Sequence, residues 1–260
     1  MSASLEFRDV SVAIAGGRLL LDNVSLSLGE GTVTAILGRS GSGKTTLLRT
    51  ANRLIHLTSG QIKVAGRPVD ELDAIHLRRR IGYVIQEAGL FPHFDVVRNV
   101  GIVLEAEGQR REKRVTRSKE LLQLVGLDPA TFSQRYPHQL SGGQRQRVGL
   151  ARALASEPDI LLMDEPFGAL DPLTRAEMQD MLLDLLKRLS TTVLLVTHDL
   201  DEALYIADNI VLLSEGKVVA NLTRDEFMQS TQAEIVAYAR AFRRGQSIAS
   251  AAADAKGRFA

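Results

Sequence analysis

Hydrophobic residues along the chain form short β-branched or alternating runs, and helical patterns lie between several of them. The runs that predict strands cover residues 24–28, 32–37, 61–64, 81–85, 160–163, 192–196, 210–213 and 217–220. Strands that alternate with helices indicate a mostly parallel sheet with helices on both faces. The pattern therefore predicts an α/β fold.

The strand signal is missing from about residue 87 to residue 156, where the pattern becomes helical. Leu121, Leu122 and Val125 fall on one face of a predicted helix in this segment. A loop without secondary structure would be unusually long here. We therefore expect an α-helical subdomain over about residues 87–156, inserted into a domain that covers residues 1–222.

Two further helices are predicted towards the C-terminal end of the chain. An amphipathic pattern covers residues 173–189, and a second helical pattern runs from Arg224 to about Arg244. Ala, Ser and Gly dominate after it, so we expect about the last fifteen residues to be poorly ordered. Residues 223–260 are thus predicted to form a C-terminal helix and a disordered tail.

The composition of the chain mainly excludes certain partners and certain kinds of site. With 45% hydrophobic and 24% charged residues the chain is typical of a soluble globular protein. A net charge of +1 argues against a large basic surface, so no nucleic-acid partner is expected. The absence of cysteine excludes disulfides and thiolate metal sites, and it agrees with a reducing cytoplasm.

A glycine-rich turn between a predicted strand and a predicted helix carries the strongest chemical signal. Its glycines allow backbone N–H groups to turn towards phosphate oxygens, and the helix places its positive end there. Lys44 is expected to reach the β- and γ-phosphates of a nucleotide, and the Thr45 hydroxyl to ligate Mg²⁺. The predicted phosphate-binding set is Gly38, Arg39, Ser40, Gly41, Ser42, Gly43, Lys44, Thr45 and Thr46.

Polar side chains also follow two other apolar strands. Asp164 can join the shell of the Mg²⁺ ion, and Glu165 beside it can polarise a water aimed at the γ-phosphate. Alone, this pair is a weak signal, and it becomes strong only with the phosphate loop upstream. His198 follows residues 192–196 and should reach the same edge of the sheet. A histidine at such a position is more often structural, but the loop and the carboxylates favour a site role.

Residues 140–144, Leu-Ser-Gly-Gly-Gln, look like a second anion-binding segment. Ser141 is a good N-cap, and the two glycines expose backbone N–H groups ahead of a helix. A single triphosphate does not easily need both segments. From these residues alone, an ordinary Ser-Gly-Gly turn remains the alternative.

In this order the motifs resemble those of the ATP-binding subunit of ABC transporters, over about residues 4–222. The resemblance implies an α/β fold with a P-loop NTPase (RecA-like) core. That core has a mostly parallel sheet, an antiparallel β portion near the N-terminus and an inserted α-helical subdomain. Residues 38–45 then resemble the Walker A loop, and residues 140–144 resemble the signature motif.

The resemblance also implies roles for individual residues. Asp164 is the Walker B metal residue, and Glu165 is the catalytic base. Gln86 looks like the Q-loop glutamine that contacts Mg²⁺ and the attacking water. Asp171 resembles the D-loop aspartate, and His198 resembles the switch histidine. The implied catalytic set is Glu165, His198 and Gln86, and the implied metal set is Thr45, Gln86 and Asp164.

Head-to-tail pairing of two copies would explain the two phosphate sites. In the family, the signature of one subunit caps the ATP held by the other, which here implies Ser141 and Gly143. The resemblance thus implies ATP and Mg²⁺ as cofactors and a homodimer in the ATP-bound state. The nucleotide contacts that it adds are Ser141, Gly142, Gly143, Gln144 and Asp171.

Residues 87–94 are unusually apolar for a loop after a catalytic glutamine. Read alone, they are as well explained by local core packing. In the family this segment helps to form the groove that receives a coupling helix of the membrane subunit. The implied partners are therefore transmembrane permease subunits and, indirectly, a substrate-binding protein. The implied location is peripheral, on the cytoplasmic face of the plasma membrane.

Four longer sequence segments most resemble those of importers of glycine betaine, choline or carnitine. These segments are residues 78–86, 89–93, 135–143 and 163–172. Other importers share parts of the same segments, so an importer of another substrate, or an exporter, stays an alternative. A soluble ABC ATPase without a transport role would usually need a coiled coil or a second cassette. A scaffold that binds ATP without hydrolysis would not need the catalytic set.

One position departs from the family pattern. Ile14 stands where family members usually carry an aromatic residue that stacks on adenine. Loss of such a stacking platform costs about 1 to 3 kcal/mol by analogy with base stacking on aromatic side chains. The sequence therefore predicts weak adenine selectivity and a raised KM for ATP.

Overall fold

The structure is a computed structural model that describes residues 3–244. Its strands are β1 (Ala3–Ala13), β2 (Leu19–Gly29), β3 (Val33–Leu37), β4 (Ser59–Val64), β5 (Arg67–Pro68), β6 (Ile81–Val84), β7 (Ile160–Asp164), β8 (Thr192–Val196), β9 (Asn209–Ser214) and β10 (Lys217–Thr223). Its helices are α1 (Lys44–Ala51), α2 (Ala74–Arg79), α3 (Val96–Ala106), α4 (Arg111–Leu124), α5 (Pro129–Phe132), α6 (Gly142–Ala153), α7 (Pro172–Leu186), α8 (Leu200–Ile206), α9 (Arg224–Gln229) and α10 (233–244).

A six-stranded sheet forms the centre of the protein, in the order β10-β9-β3-β8-β7-β6. All neighbouring strands are parallel except β10, which is antiparallel to β9. Every residue of β3, β7 and β8 is buried, as expected for strands covered on both faces. The carboxyl ends of these strands meet at one edge, where open α/β sheets bind ligands.

An antiparallel sheet, in the order β2-β1-β4-β5, lies beside the parallel one. The resemblance implied such a portion near the N-terminus, and the structure confirms it. Strand β1 was not predicted from the hydrophobic pattern. Its pairing with β2 shifts register between Phe7 and Val10, and Asp9 adopts a positive φ of 49°. This irregularity interrupts the alternation by which a strand is normally identified.

The two faces of the central sheet pack into two hydrophobic clusters. In β3, Ala35 and Leu37 belong to the cluster that includes α3, α4, α6 and α7. Ile36 points the other way, into the cluster formed with α1 and the antiparallel sheet. This alternation is the period of two expected of a strand. It holds the central sheet rigidly between two packed layers.

Helices fill the segment in which the strand signal was missing. Within the described residues, α3, α4, α5 and α6 separate β6 from β7, and no strand lies between them. The limits of a helical subdomain at about residues 87–156, and of domains at 1–222 and 223–260, stay proposals. The predicted helix after Arg224 is two helices, since residues 230–232 are not helical. The predicted disordered tail lies outside the described residues.

None of the helices found in residues 3–244 combines the length and apolar character needed to cross a bilayer. The longest helix with a fully described boundary at each end is α7, with 15 residues, and about 20 apolar residues are needed to span the hydrocarbon core.

Gly60→Ala is expected to destabilise the antiparallel sheet more than Gly66→Ala does. Both glycines adopt positive φ, 89° and 76°, so alanine costs about 1–2 kcal/mol at either position. A Cβ at Gly60 would also lie 2.6 Å from the Arg8 carbonyl oxygen and closer still to that of Asp9, whereas nothing lies within 4 Å at Gly66. Overpacking should add about 1–3 kcal/mol at Gly60 alone. Urea unfolding of both variants measures the difference, and equal losses would contradict the collision.

Candidate functional site

The glycine-rich loop connects β3 to α1 and is shaped by two close packing contacts. Gly43 is the N-cap of α1 at φ 104°, and a Cβ there would lie 2.6 Å from the Leu20 carbonyl oxygen. A Cβ at Gly38 would collide with the Leu213 carbonyl. Gly41, at φ 78°, has open space around it. The loop is therefore packed against β2 and β9 on one side and open on the other.

Lys44 folds back into this loop. It is only 6% exposed, and its Nζ donates hydrogen bonds to the carbonyl oxygens of Gly38 at 2.8 Å and Arg39 at 2.9 Å. Burial lowers the pKa of Lys44, while the nearby carboxylates of Glu165 and Asp164 act in the opposite direction. The loop thus encloses the Lys44 ammonium group at the first residue of the helix, and the contact of Lys44 with phosphates stays a prediction.

The Ser42 hydroxyl in the loop is buried without a hydrogen-bond partner among the described residues. Ser42 as a whole is 5% exposed. A buried hydroxyl without a partner is costly. A phosphate oxygen in the loop would be a suitable acceptor, so the residues present fit a bound phosphate group.

Thr45 and Asp164 meet across the end of the sheet. The Thr45 hydroxyl donates to Asp164 Oδ1 at 2.9 Å, although the two residues are far apart in sequence. An Arg49 guanidinium nitrogen lies 3.9 Å from Asp164 Oδ2. Hydroxyl and carboxylate oxygens are ligands that Mg²⁺ accepts, and it usually completes its shell with phosphate oxygens and water. The described residues contain no group of three or more His, Cys, Asp or Glu that could hold a metal alone, so this pair fits a nucleotide-bound Mg²⁺.

Glu165, Gln86 and His198 converge on a single oxygen atom. Gln86 Nε2 donates to Glu165 Oε2 at 3.3 Å, and His198 Nδ1 lies 3.4 Å from the same oxygen. Glu165 has a positive φ of 45°, and its N–H donates to the Val196 carbonyl at 2.9 Å. Such strained backbone is common at functional sites. The structure therefore brings together the three residues predicted as catalytic, each from the end of a different strand.

One detail differs from the implied metal set. The Gln86 amide contacts Glu165, and no hydrogen bond of Gln86 to Thr45 or Asp164 is present among the described residues. Gln86 thus joins the catalytic residues directly. A contact to the metal stays a prediction.

The signature segment caps helix α6. Ser141 Oγ accepts a hydrogen bond from the Gln144 N–H at 3.2 Å, and Gln144 Oε1 accepts one from the Ser141 N–H at 3.0 Å. Gly143 packs so closely on Thr174 that a Cβ would collide with the threonine methyl group, and Gly142 faces Leu170. The N-cap predicted at Ser141 is confirmed. The glycine at 143 is needed for contact with α7.

Asp171 caps the neighbouring helix α7. Its Oδ1 accepts a hydrogen bond from the Thr174 N–H at 3.1 Å, and hydrogen bonds from Thr174 hold the pKa of the Asp171 carboxyl below its usual value. In the described part of the chain no hydrogen bond or ion pair joins Asp171 or the signature segment to residues 38–46. These predicted nucleotide contacts are therefore not assembled with the phosphate loop of the same chain.

Gln146 was not singled out from the sequence. It is 3% exposed, and its Nε2 donates to the carbonyl oxygens of Gln86 at 3.0 Å and Pro166 at 2.8 Å. These contacts tie the signature helix to the two loops that carry Gln86 and Glu165. The signal was a polar residue at helical spacing on the buried face of α6, between Gly143 and Leu150.

Ile14 lies at the tip of the β1–β2 hairpin and is 45% exposed. Its N–H donates to the Arg18 carbonyl at 3.0 Å across the turn. The exposed side chain is free to contact a base. The predicted weakness of adenine selectivity stays a prediction.

The apolar loop after Gln86 exposes aromatic rings. Phe91 is 43% exposed, and the rings of His93 and Phe94 pack beside it. The buried Asn99 holds the main chain, since its Nδ2 donates to the carbonyl oxygens of Phe91 at 3.1 Å and Phe94 at 2.9 Å. Arg98 lies 3.8 Å from the Phe94 ring centroid. The main chain of the loop is therefore held in place with Phe91 exposed, while Ala88 is buried and Leu90 packs against the core.

Comparison with curated proteins shows close relatives. The chain is 45% identical over 232 residues to the glycine betaine/carnitine/choline transport ATP-binding protein OpuCA of Bacillus subtilis (strain 168), which covers 89% of this chain and 61% of the relative. It is 46% identical over 215 residues to the glycine betaine uptake system ATP-binding protein YehX of Escherichia coli (strain K12), covering 83% of this chain and 69% of the relative. The chain spans about three fifths of the length of OpuCA.

Solved structures and a family model agree. The ATP-binding cassette MJ0796, solved as a post-hydrolysis dimer with ADP and Pi, matches at a TM-score of 0.76 and 33% identity, covering 85% of this chain and 98% of that one. CbiO1 of Clostridium perfringens matches at a TM-score of 0.81 and 28% identity, covering 95% and 99%. The model of the ABC transporter family matches residues 21–168. The chain therefore belongs to the ABC transporter family.

Proposed function

We propose that this chain is the ATP-binding and ATP-hydrolysing subunit of an ABC importer. The observation that carries the proposal is the convergence of Gln86, Glu165 and His198 beside the Thr45–Asp164 pair, at the edge of the sheet that holds the phosphate loop. A phosphate cradle beside a positioned carboxylate is suited to in-line attack of water on a γ-phosphate.

Each residue has a task that its position supports. Lys44 would exchange its two loop carbonyls for oxygens of the β- and γ-phosphates. Thr45 and Asp164 would hold Mg²⁺, which when bound neutralises charge on those phosphates. Glu165 would accept a proton from the attacking water. The side chains of Gln86 and His198 would orient that water.

The proposed substrate class is osmoprotectants such as glycine betaine. This proposal is supported by the similarity of the chain to ATP-binding proteins of osmoprotectant transport. One of them, an osmoprotectant import ATP-binding protein from Salmonella typhimurium, is 45% identical over 216 residues. Transport of another substrate, and export, are the alternatives. Recognition of the cargo would belong to other subunits, so no residue of this chain names it.

We propose that two copies pair head to tail when ATP is bound. The support is geometric, because the signature segment and Asp171 adjoin each other through Thr174 but do not reach their own phosphate loop. MJ0796, by its description, forms a dimer with ADP and Pi. In this arrangement Ser141, Gly142, Gly143, Gln144 and Asp171 of one copy would face the nucleotide of the other.

The permease is proposed to dock beside the loop of residues 87–94, from the cytoplasmic face of the membrane. Exposed Phe91 and the held rings next to it offer an apolar contact. A cavity of about 320 Å³ between α3 and α4, lined in part by Arg98 and Glu105, lies close by. Gln146 ties the main chain at Gln86, which leads into residues 87–94, to the main chain at Pro166, next to Glu165. This link would couple docking to hydrolysis.

Capture from membranes tests the whole assignment. Tagged Glu165→Gln protein would be added with ATP to gently solubilised native membranes, since stalled hydrolysis should hold the closed dimer on its partner. The same protein with ADP is the control. Recovery of a permease with a protein that binds quaternary amines in an aromatic cage would support osmoprotectant import. A permease with another binding protein would remove the substrate assignment only, and recovery of soluble partners alone would refute the transport role.

A further inference from the structure

Helix α10 lies against the back of the nucleotide site. Ile235 is 2% exposed, and it belongs to the hydrophobic cluster that covers one face of the central sheet. Tyr238, Ala239 and Phe242 pack on the same cluster. Burial of this apolar face holds α10 firmly on the sheet domain. Helix α10 is therefore in contact with the core through Ile235, Tyr238, Ala239 and Phe242.

The Tyr238 hydroxyl makes one hydrogen bond at the site, since it donates to the carbonyl oxygen of His198 at 3.1 Å. Gly38 lies nearby, and the two residues line the same cavity. Burial raises the pKa of Tyr238 to about 12, so the group stays a neutral phenol throughout the physiological range and can donate this hydrogen bond.

The hydrogen bond holds the beginning of a functional loop. His198 follows β8, the parallel neighbour of β3, and Gly38 is the first residue of the phosphate loop after β3. The Tyr238 hydroxyl therefore ties α10 to the main chain at the end of β8, at the residue whose side chain lies 3.4 Å from Glu165 Oε2.

A cavity of about 200 Å³ lies between α10 and the phosphate loop; its lining includes Gly38, Arg39, Leu213, Glu234, Ala237 and Tyr238. Tyr238 thus borders the phosphate loop across this cavity, while its hydroxyl is hydrogen-bonded to the main chain of His198.

We propose that Tyr238 is a positioning residue of the nucleotide site, which fixes the main chain of the switch loop at His198 to the packed helix α10. The inference rests on the proposed ATP hydrolysis. Without the hydroxyl, the His198 carbonyl loses its donor and the loop can shift, so the imidazole is less well aligned with Glu165 and the γ-phosphate. A small misplacement of a catalytic group is costly in rate.

The test is Tyr238→Phe, which removes the hydroxyl and keeps the ring. Loss of one positioning hydrogen bond is expected to lower kcat about three- to tenfold while the KM for ATP changes little. The backbone carbonyl ¹³C resonance of His198 should also move. Tyr205→Phe is the matched control, because Tyr205 donates to the Asp180 carboxylate from helix α8 without touching either loop. It should change neither kcat nor the His198 resonance.

The kcat values of the wild type and of the two variants test the role of Tyr238. Unchanged kcat in Tyr238→Phe, with normal turnover in the wild type, would overturn the inference and leave the proposed function intact. A loss of kcat shared equally by Tyr205→Phe would mean general destabilisation and would also overturn it. A folded wild-type chain that does not hydrolyse ATP would refute the proposed function, and this inference with it.

Discussion

Glu165→Gln is expected to lower the ATP turnover of the chain by about 10²- to 10⁴-fold, the usual contribution of a general base. The carboxylate lies at the end of β7, where Gln86 and His198 both contact its Oε2. Glutamine has the same shape and can still accept the hydrogen bond from Gln86, but it cannot take a proton from water. The loss should therefore fall on catalysis and not on folding.

Binding separates this result from misfolding. Glu165→Gln should bind ATP as tightly as the wild type, because Lys44 and the glycine-rich loop are unchanged. Single-turnover phosphate release measures the chemical step, and fluorescence titration with an ATP analogue measures binding. In the proposed dimer, ATP should also drive the variant into a stable pair that is visible by light scattering.

Glu157→Gln is the matched control. Glu157 stands before β7 as Glu165 stands after it, and it also has a positive φ, 52°. Its partner is Arg117 at 3.0 Å, on the surface, and such exposed pairs contribute little to stability. This variant should keep wild-type turnover. Turnover that survives Glu165→Gln would refute the assigned base.

Lys44→Met is expected to weaken ATP binding by about 100-fold or more, since two hydrogen bonds from a charged donor are lost at about 1.5–3 kcal/mol each. The Nζ atom sits between the carbonyl oxygens of Gly38 and Arg39, where phosphate oxygens are proposed to bind. Methionine keeps an unbranched stem of similar volume, so the packing around α1 should survive. Turnover should fall with binding.

Stability without nucleotide should be nearly unaffected by Lys44→Met. Burial lowers the pKa of Lys44, which means that the folded protein holds this charge at a cost, and its removal offsets the lost bonds to the carbonyls. Thermal unfolding without nucleotide measures this, and isothermal titration measures binding. Lys187→Met is the control, because Lys187 is 72% exposed and pairs with Asp184 at the surface. Unchanged ATP affinity in Lys44→Met would contradict the phosphate role.

Predictions from the sequence were best where the chemistry is local. The glycine-rich loop is contiguous, so its glycines and Lys44, whose phosphate-binding role stays a prediction, could be identified from spacing alone, and the structure places the loop between β3 and α1. The same is true of the cap at Ser141. The hydrophobic pattern did not predict β1, because the register shift near Asp9 breaks the alternation. It also predicted one continuous helix after Arg224, whereas residues 230–232 separate α9 from α10.

Contacts across the sheet were predicted in outline only. Parallel strands align their ends, so the sequence could indicate that Asp164 and His198 reach one edge. It could not show that the Gln86 amide turns to Glu165. Gln146 and Tyr238 were missed. Helical spacing puts Gln146 on the buried face of α6 but does not indicate which carbonyls it contacts, and a tyrosine on a helix has no distinctive local pattern.

By itself, the sequence determined the fold class, the position of the glycine-rich loop between a strand and a helix, and the family, since each depends on neighbours in the chain or on the order of motifs. Only the tertiary structure decided which side chains meet: Thr45 with Asp164, and Gln86 and His198 with one oxygen of Glu165. It also decided that the signature segment caps α6 and packs against Thr174 of α7. The physical reason is that these distances depend on how strands and helices pack, and packing couples residues whose separation along the chain carries no periodic signal.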